Sequence, residues 1–438
     1  MKYYITDFGA MPDSGICTKQ IQNAIDKCFL SGGGEVVVPG GRFLTGGLRL
    51  RSNVTLHLME NAVLAGSVNP EDYLTYLDDE IEPISEEELT KTVDTAMPEA
   101  KNSRSVVPYS RWNNAVIRAI NAENIAIIGE KNSFIDGQNC FDELGEEKYR
   151  GPHGINMWHC KNVKLSGYTL KDSGNWAHAI QNSKFIEVKG IKVLGGHDGF
   201  DVRTCDEVMI ENCEFHSGDD AIAGFDNINV TIRNCVLNSS CSALRFGGTN
   251  VLVENCETVS PNKYGFRGNL SYEQKIARAE TDEKCRHNCV NAFLYYCDYR
   301  AKIRETPGNI LIRNCRFFNV DSVFMQAFGH VWARNRALDN IMFENCIFEG
   351  VSLPISLGCP ENEPITFKMK NCKIAARADA CDTPVAEANN FRDIIFENVE
   401  LSGYDAAKII YCTEGNISIE GSSDLTTEKT EKLIRIGI

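Results

Sequence analysis

Residues 206–235 read DEVMIENCEFHSGDDAIAGFDNINVTIRNC, and one phrase occurs in them twice, as EVMIENC ending at Cys213 and NVTIRNC ending at Cys235. Each copy alternates apolar and polar residues, is rich in β-branched types and runs into turn formers, the pattern of a short strand closed by a turn. Working outward, the phrase returns as NVLVENC at Cys256, NILIRNC at Cys315 and NIMFENC at Cys346, with looser copies ending at Tyr168, Ile191, Cys372 and Val399. Positions 168, 191, 213, 235 and 256 are separated by 23, 22, 22 and 21 residues. A period just above ~20 residues with one such strand per unit predicts a solenoid of stacked coils. No helical pattern separates the strands and the spaced leucines of a leucine-rich repeat are missing. The expected fold is therefore all-β, a single right-handed parallel β-helix spanning 1–438.

Composition narrows the function classes. The chain has 438 residues, 43% apolar and 24% charged, which excludes a disordered or collagen-like protein. A net charge of −15 argues against nucleic acid and anionic membranes as partners. The first residues, MKYYITD, do not resemble a signal peptide, and no run of about 18 apolar residues offers a membrane span, so a cytoplasmic location is expected. In a reducing compartment the 18 cysteines are expected as thiols that fill the core, the Asn-Cys column stacking inside the coils. No cofactor or metal is implied.

Three segments depart from the period. Residues 17–31, CTKQIQNAIDKCFLS, place Ile21, Ala24, Ile25, Cys28 and Phe29 on one helical face before Gly32-Gly33-Gly34, and predict a helix capping the first coil. Residues 79–105 and 268–308 read as insertions on the solenoid. Cys256 to Cys315 is 59 residues, whereas two or three coils at the basic period take 44 or 66.

The repeat also places side chains. Counting back 15 residues from 191, 213, 235 and 256 gives Trp176, Asp198, Asp220 and Cys241. Counting back 16 gives Asn175, His197, Asp219 and Ser240. Residues at one offset stack on successive coils, so Asp198, Asp219 and Asp220 meet within about two strand spacings. Clustered like charges raise at least one pKa, which suits a general acid beside a base. Trp176 and His197 border the cluster, where an aromatic can hold a sugar ring. On spacing alone, the acids also fit a Ca²⁺ site or simple turn chemistry.

The opening YYITDFGA, the stretch IQNAIDKCFLSGGGEVVVPGGRFLTGGLRLRSNVTLHL and the following NPEDY resemble the start of glycoside hydrolase family 28, the polygalacturonase-like enzymes. So do FIDGQ at 134–138, HDGFD at 197–201 and SGDDAIA at 217–223. The resemblance runs to about Arg267 and implies a right-handed parallel β-helix that hydrolyses pectic glycosides with inversion. It implies Asp219 as the general acid, with Asp198 and Asp220 activating water. The family's Asn-Thr-Asp motif stands here as Gly196-His197-Asp198, its Gly-His-Gly as Ser240-Cys241-Ser242, and its Arg-Ile-Lys as Arg267-Gly268-Asn269. Substrate contacts are expected from Trp176, His197, Cys241, Arg267 and Asn269. The lost His and Lys put simple polygalacturonan in doubt as the substrate.

The expected activity is exo-type hydrolysis of short pectin-derived or related oligosaccharides, uronate-containing ones among them. A Ca²⁺-dependent lyase and a non-catalytic carbohydrate-binding β-helix are the alternatives. Cys285, His287 and Cys289 have a metal-like spacing but lack a second ligand pair. Arg300, Lys302, Arg304, Arg334 and Arg336 would draw in an acidic sugar or stay solvated.

Overall fold

The computed structural model describes residues 1–73, 110–266, 271, 273–274, 285–298, 303–326, 333–334, 336–360 and 362–432. Each coil contributes one strand to a 12-stranded parallel sheet, running from Gly41–Thr45 to Glu400–Ser402, and two strands to a 25-stranded one. The two strand stacks of the larger sheet merge where Ile222–Arg233 and Ser242–Glu254 each run unbroken through a corner. Parallel crossovers of this kind wind right-handed. The chain is thus a parallel β-helix with its core inside the coils.

Strict register stacks like on like. Val208, Val230, Val251, Ile310 and Ile341 follow one another up the helix, and all are buried in the core. Branched side chains at this spacing interlock, and each full burial contributes on the order of 1.5–3 kcal/mol. Cys213, Cys235, Cys256, Cys315, Cys346 and Cys372 form the buried thiol column. Their thiols donate to backbone carbonyls, as Cys213 Sγ does to Glu211 O at 3.2 Å. Each cysteine follows an Asn with φ of 51–55°. Asn tolerates this left-handed corner better than other L-residues, and its amide joins a ladder, Asn255 Nδ2 donating to Asn234 Oδ1 at 3.2 Å.

The helix runs over Thr18–Leu30 with Ile21, Ala24, Ile25 and Cys28 buried, and packs on Gly34–Val38 at the first coil. It covers the edge that an open solenoid end would expose. Among the described residues no helix is long and apolar enough to cross a membrane.

The interval from Cys256 to Cys315 is a single coil. Val251 pairs directly with Ile310, and Cys256 N–H donates to Cys315 Sγ at 3.4 Å. Residues 289–295, inside the segment expected as an insertion, form a strand paired with Ser242–Glu254 on one side and Val320–Gln326 on the other. The period is hidden because 59 residues separate Cys256 from Cys315 within this one coil. The segment 79–105 lies outside the described residues.

Candidate active site

The site occupies one corner of the coils, where strands Lys192–Gly195, Glu214–Ser217 and Val236–Ser239 turn into Phe200–Arg203, Ile222–Arg233 and Ser242–Glu254. Ala177 N–H donates to Asp198 O, Gly199 N–H to Asp220 O and Ala221 N–H to Ser242 O, each at 2.9 Å. The first column is therefore Trp176, Asp198, Asp220 and Ser242. The second is Asn175, His197, Asp219 and Cys241. Asp198, Asp219 and Asp220 come together as expected, but Cys241 stands over Asp219 instead of following Asp220. The displacement has a physical cause. Gly224 pairs with Phe246 but Asn227 pairs with Gly248, so a bulge in the lower strand consumes one residue. A count back from Cys256 crosses it and slips by one.

The turn is tightly packed. A Cβ on Gly218 would sit 2.4 Å from Gly265 O and 2.7 Å from Gly196 O, so only glycine allows the coil below and residue 265 to close on Asp219. Asn262 Nδ2 donates to Ser217 O at 2.7 Å, and Ser240 Oγ donates to Tyr264 O. The chain leaving Glu257–Val259 is thereby pinned along the rim of the site.

Sequence reasoning passed over the cation at the centre. Arg245 Nε donates to Asp220 Oδ2 at 2.7 Å, and Nη2 donates to Asp201 Oδ2 at 3.2 Å and lies 3.7 Å from Asp198 Oδ2. Asp201 is fully buried and also accepts from Arg203 Nε at 2.6 Å and Nη2 at 3.1 Å. Three carboxylates, Asp198, Asp201 and Asp220, thus share two guanidinium groups in direct contact. Arg150 is the second omission. Its charge acts on Asp219, while Nη1 donates to Asn175 Oδ1 at 3.3 Å and the guanidinium lies 5.8 Å from the Trp112 ring centroid. Nothing in the repeat phrase marked it, because it lies outside the ladder.

Burial and the neighbouring Asp220 charge push the Asp219 carboxyl up to about 6, against the pull of Arg150, Arg245 and a hydrogen bond with Cys241. Burial, with Asp219 and Asp220 beside it, holds Asp198 well above the usual carboxylate range. The Cys241 thiol is driven upward by burial and by Asp220 and Asp219, which keeps it a protonated donor and not a nucleophile. One oxygen each of Asp219 and Asp220 and Cys241 Sγ lie within 4.8 Å of one another.

Other expected contacts differ. The Trp176 ring is buried, with the Arg203 guanidinium 4.2 Å over it and Trp112 edge-on at 5.3 Å, so packing takes the face expected to hold a sugar. His197 is buried beside the cluster. Arg267 and Asn269 lie outside the described residues, as do Arg300 and Lys302. Arg304 pairs with Asp206 and Asp226, and Arg336 with Glu363, so these two serve the fold. Cys285 and Cys289 are buried thiols. Arg286, between them in sequence, donates from Nε to Ser240 O at 2.9 Å.

Fold and site together define a parallel β-helix protein with a buried carboxylate cluster at one corner of its coils. A family model described as glycosyl hydrolases family 28 matches residues 90–243. It is 28% identical over 242 residues to a probable polygalacturonase of Vitis vinifera, a match covering 52% of this chain and 45% of that protein's length. Two solved structures share the fold. An exopolygalacturonase from Thermotoga maritima has a TM-score of 0.63 and 18% identity, with 92% of each chain covered. A family 28 exopolygalacturonase from Yersinia enterocolitica has a TM-score of 0.64 and 17% identity, with 100% of this chain and 79% of that one covered.

Proposed function

We propose that the protein is an inverting glycoside hydrolase acting on short pectin-derived or related oligosaccharides. The observation that carries this reading is that Arg245 ion-pairs with Asp220 and not with Asp219. Asp220 is ion-paired to Arg245 at 2.7 Å, whereas among the described residues no ion pair reaches Asp219, whose carboxyl lies at about 6. A proton-bearing acid beside a charged carboxylate is what glycosidic cleavage requires. Asp219 protonates the leaving oxygen. Asp220, with Asp198 beside it, takes the proton from the attacking water, which adds to the anomeric carbon from the opposite face as the C–O bond breaks.

Arg150 and Arg286 approach the acid's surroundings from two sides and would favour a uronate over a neutral sugar. The rim at 262–266 narrows the site next to Asp219 and supports exo-action on short chains. A calcium-dependent lyase is less well supported, because a guanidinium already neutralises the carboxylates such an ion would need. The cysteines, all free in the structure, support a reducing, cytoplasmic setting.

The test is a screen of oligogalacturonides and other pectic oligosaccharides for reducing-end release by the wild-type protein and Asp219→Asn. Hydrolysis by the first and loss in the second are expected. Equal activity in both removes Asp219 as the acid.

A further inference from the structure

The column that crosses the floor of the site is Ala179, Asp201, Ala223, Arg245 and Leu294. These residues alternate with the core residues Ile180, Val202, Ile222 and Leu244 and so point away from the core. Arg245 is two coils above Asp201, roughly 9–10 Å along the stack. Between them stands Ala223, too short to fill the gap. The Arg245 side chain lies back across it, so that one planar guanidinium meets Asp220 through Nε and Asp201 through Nη2. Arg203 holds Asp201 from the other side with two hydrogen bonds and is itself stacked on Trp176 and Phe225, at 4.2 and 4.9 Å. Tyr296 lies 5.6 Å from the Arg245 guanidinium. Every donor direction of Arg245 described here is thus fixed by a buried, braced partner, and a lysine's single ammonium has no equivalent fork.

The consequence is an asymmetry between adjacent residues. Asp219 and Asp220 are neighbours in sequence, both in the corner, and spacing gives no reason for one to donate a proton and the other to accept one. We propose that Arg245 is a positioning residue that assigns those roles: its guanidinium fixes Asp220 as the charged carboxylate, and by reaching Asp220 but not Asp219 it leaves Asp219 to carry the proton. Asp201 and Arg203 act one step further out by fixing the plane of Arg245. The charged and titratable groups around this contact are Asp198, Asp201, Asp219, Arg203, Tyr296, His153, His197 and Cys289, with Cys241, Arg150 and Arg286 on the Asp219 side. This inference rests on the hydrolase reading for its catalytic meaning, but the ion pair and its effect on Asp220 stand without it.

The test uses the full chain in three forms, wild type, Arg245→Lys and Arg245→Met. In protein carrying ¹³C-labelled aspartate, with the Asp220 carboxyl assigned by loss of its signal in Asp220→Asn, Arg245→Met is expected to move the Asp220 titration to higher pH, because removing a cation disfavours the anion. On a pectic oligosaccharide the same change moves the acidic limb of kcat/KM to higher pH and lowers kcat at least tenfold with little change in KM. Arg245→Lys restores the limb in part but not kcat. A residue needed only for folding changes neither midpoint. Asp201→Asn is the control of opposite sign: it removes a competing anion and shifts the limb to lower pH. If Asp220 titrates alike in wild type and Arg245→Met, the assignment is wrong whatever the activity. If the Asp220 midpoint moves as expected but no pectic substrate is cleaved, the hydrolase reading fails and the charge assignment stands.

Discussion

Cys241 stands directly over Asp219, one coil further along the helix, with its Sγ within 4.8 Å of a carboxylate oxygen. A thiol donor favours the ionised carboxylate, so it works against the acid role while keeping the side chain oriented. Cys241→Ala is expected to raise the Asp219 pKa and move the basic limb of the pH–rate profile upward, with a loss in kcat of less than about tenfold. An unmoved basic limb would show that the thiol does not act on the acid. Wild-type Cys241 should also react slowly with iodoacetamide at neutral pH, since its thiol is held protonated.

Asp219→Asn should trade activity for stability. The folded-state carboxyl titrates at about 6, above its unfolded value near 3.9. Its contribution to stability is therefore whole below about 3.9 and is lost as the pH rises through about 6. At pH 7.5 the Asn variant should be more stable than wild type, by on the order of 1 kcal/mol, and at pH 4 it should have no advantage. Urea denaturation at the two pH values measures this. Equal stability of the two proteins at pH 7.5 would contradict the strained carboxyl.

Arg150 lowers the proton affinity of Asp219 from a position beside the cluster. Arg150→Gln should move the basic limb upward and raise KM for a uronate oligosaccharide about tenfold more than for its neutral, carboxyl-reduced counterpart. A uniform rise in both KM values would limit Arg150 to a general structural role.

Phe185 interrupts a ladder of left-handed corners. Its φ is 57° and it is 50% exposed, while the equivalent corners are held by Asn124, Asn162, Asn229 and Asn250, with φ of 56–58°, and by the polar Glu207 at 56°. A bulky residue there costs roughly 1–2 kcal/mol. Phe185→Asn should stabilise the protein by about 1 kcal/mol and leave activity unchanged, as read by urea denaturation. Destabilisation would mean that Phe185 has packing worth more than the backbone strain.

The parallel β-helix was legible because each coil repeats the same physical problem: a strand, a left-handed Asn and a small buried thiol at a corner. Asp198, Asp219 and Asp220 were legible because they sit within one period of that ruler. The coil from Cys256 to Cys315 departs from the period while the ladder pairing of Val251 and Ile310 stays in place, so counting residues does not reveal that strand Cys289–Tyr295 lies within it. Cys241 was placed one column off by the bulge between Gly224 and Asn227. Arg245 and Asp201 form a contact between residues 44 apart, through the gap at Ala223, and no local pattern announces which side chain is short enough to leave such a gap. Trp176 reads as a sugar platform because its column is right; only its packing against Arg203 and Trp112 covers the ring.

In the proposed mechanism Asp219 donates a proton while Asp220 activates a water on the opposite face. Proton NMR of the first product released from an α-linked oligogalacturonide tests it most directly, read before mutarotation. The β-anomer is expected, by single displacement. Release of the α-anomer, or of an unsaturated product, would contradict it.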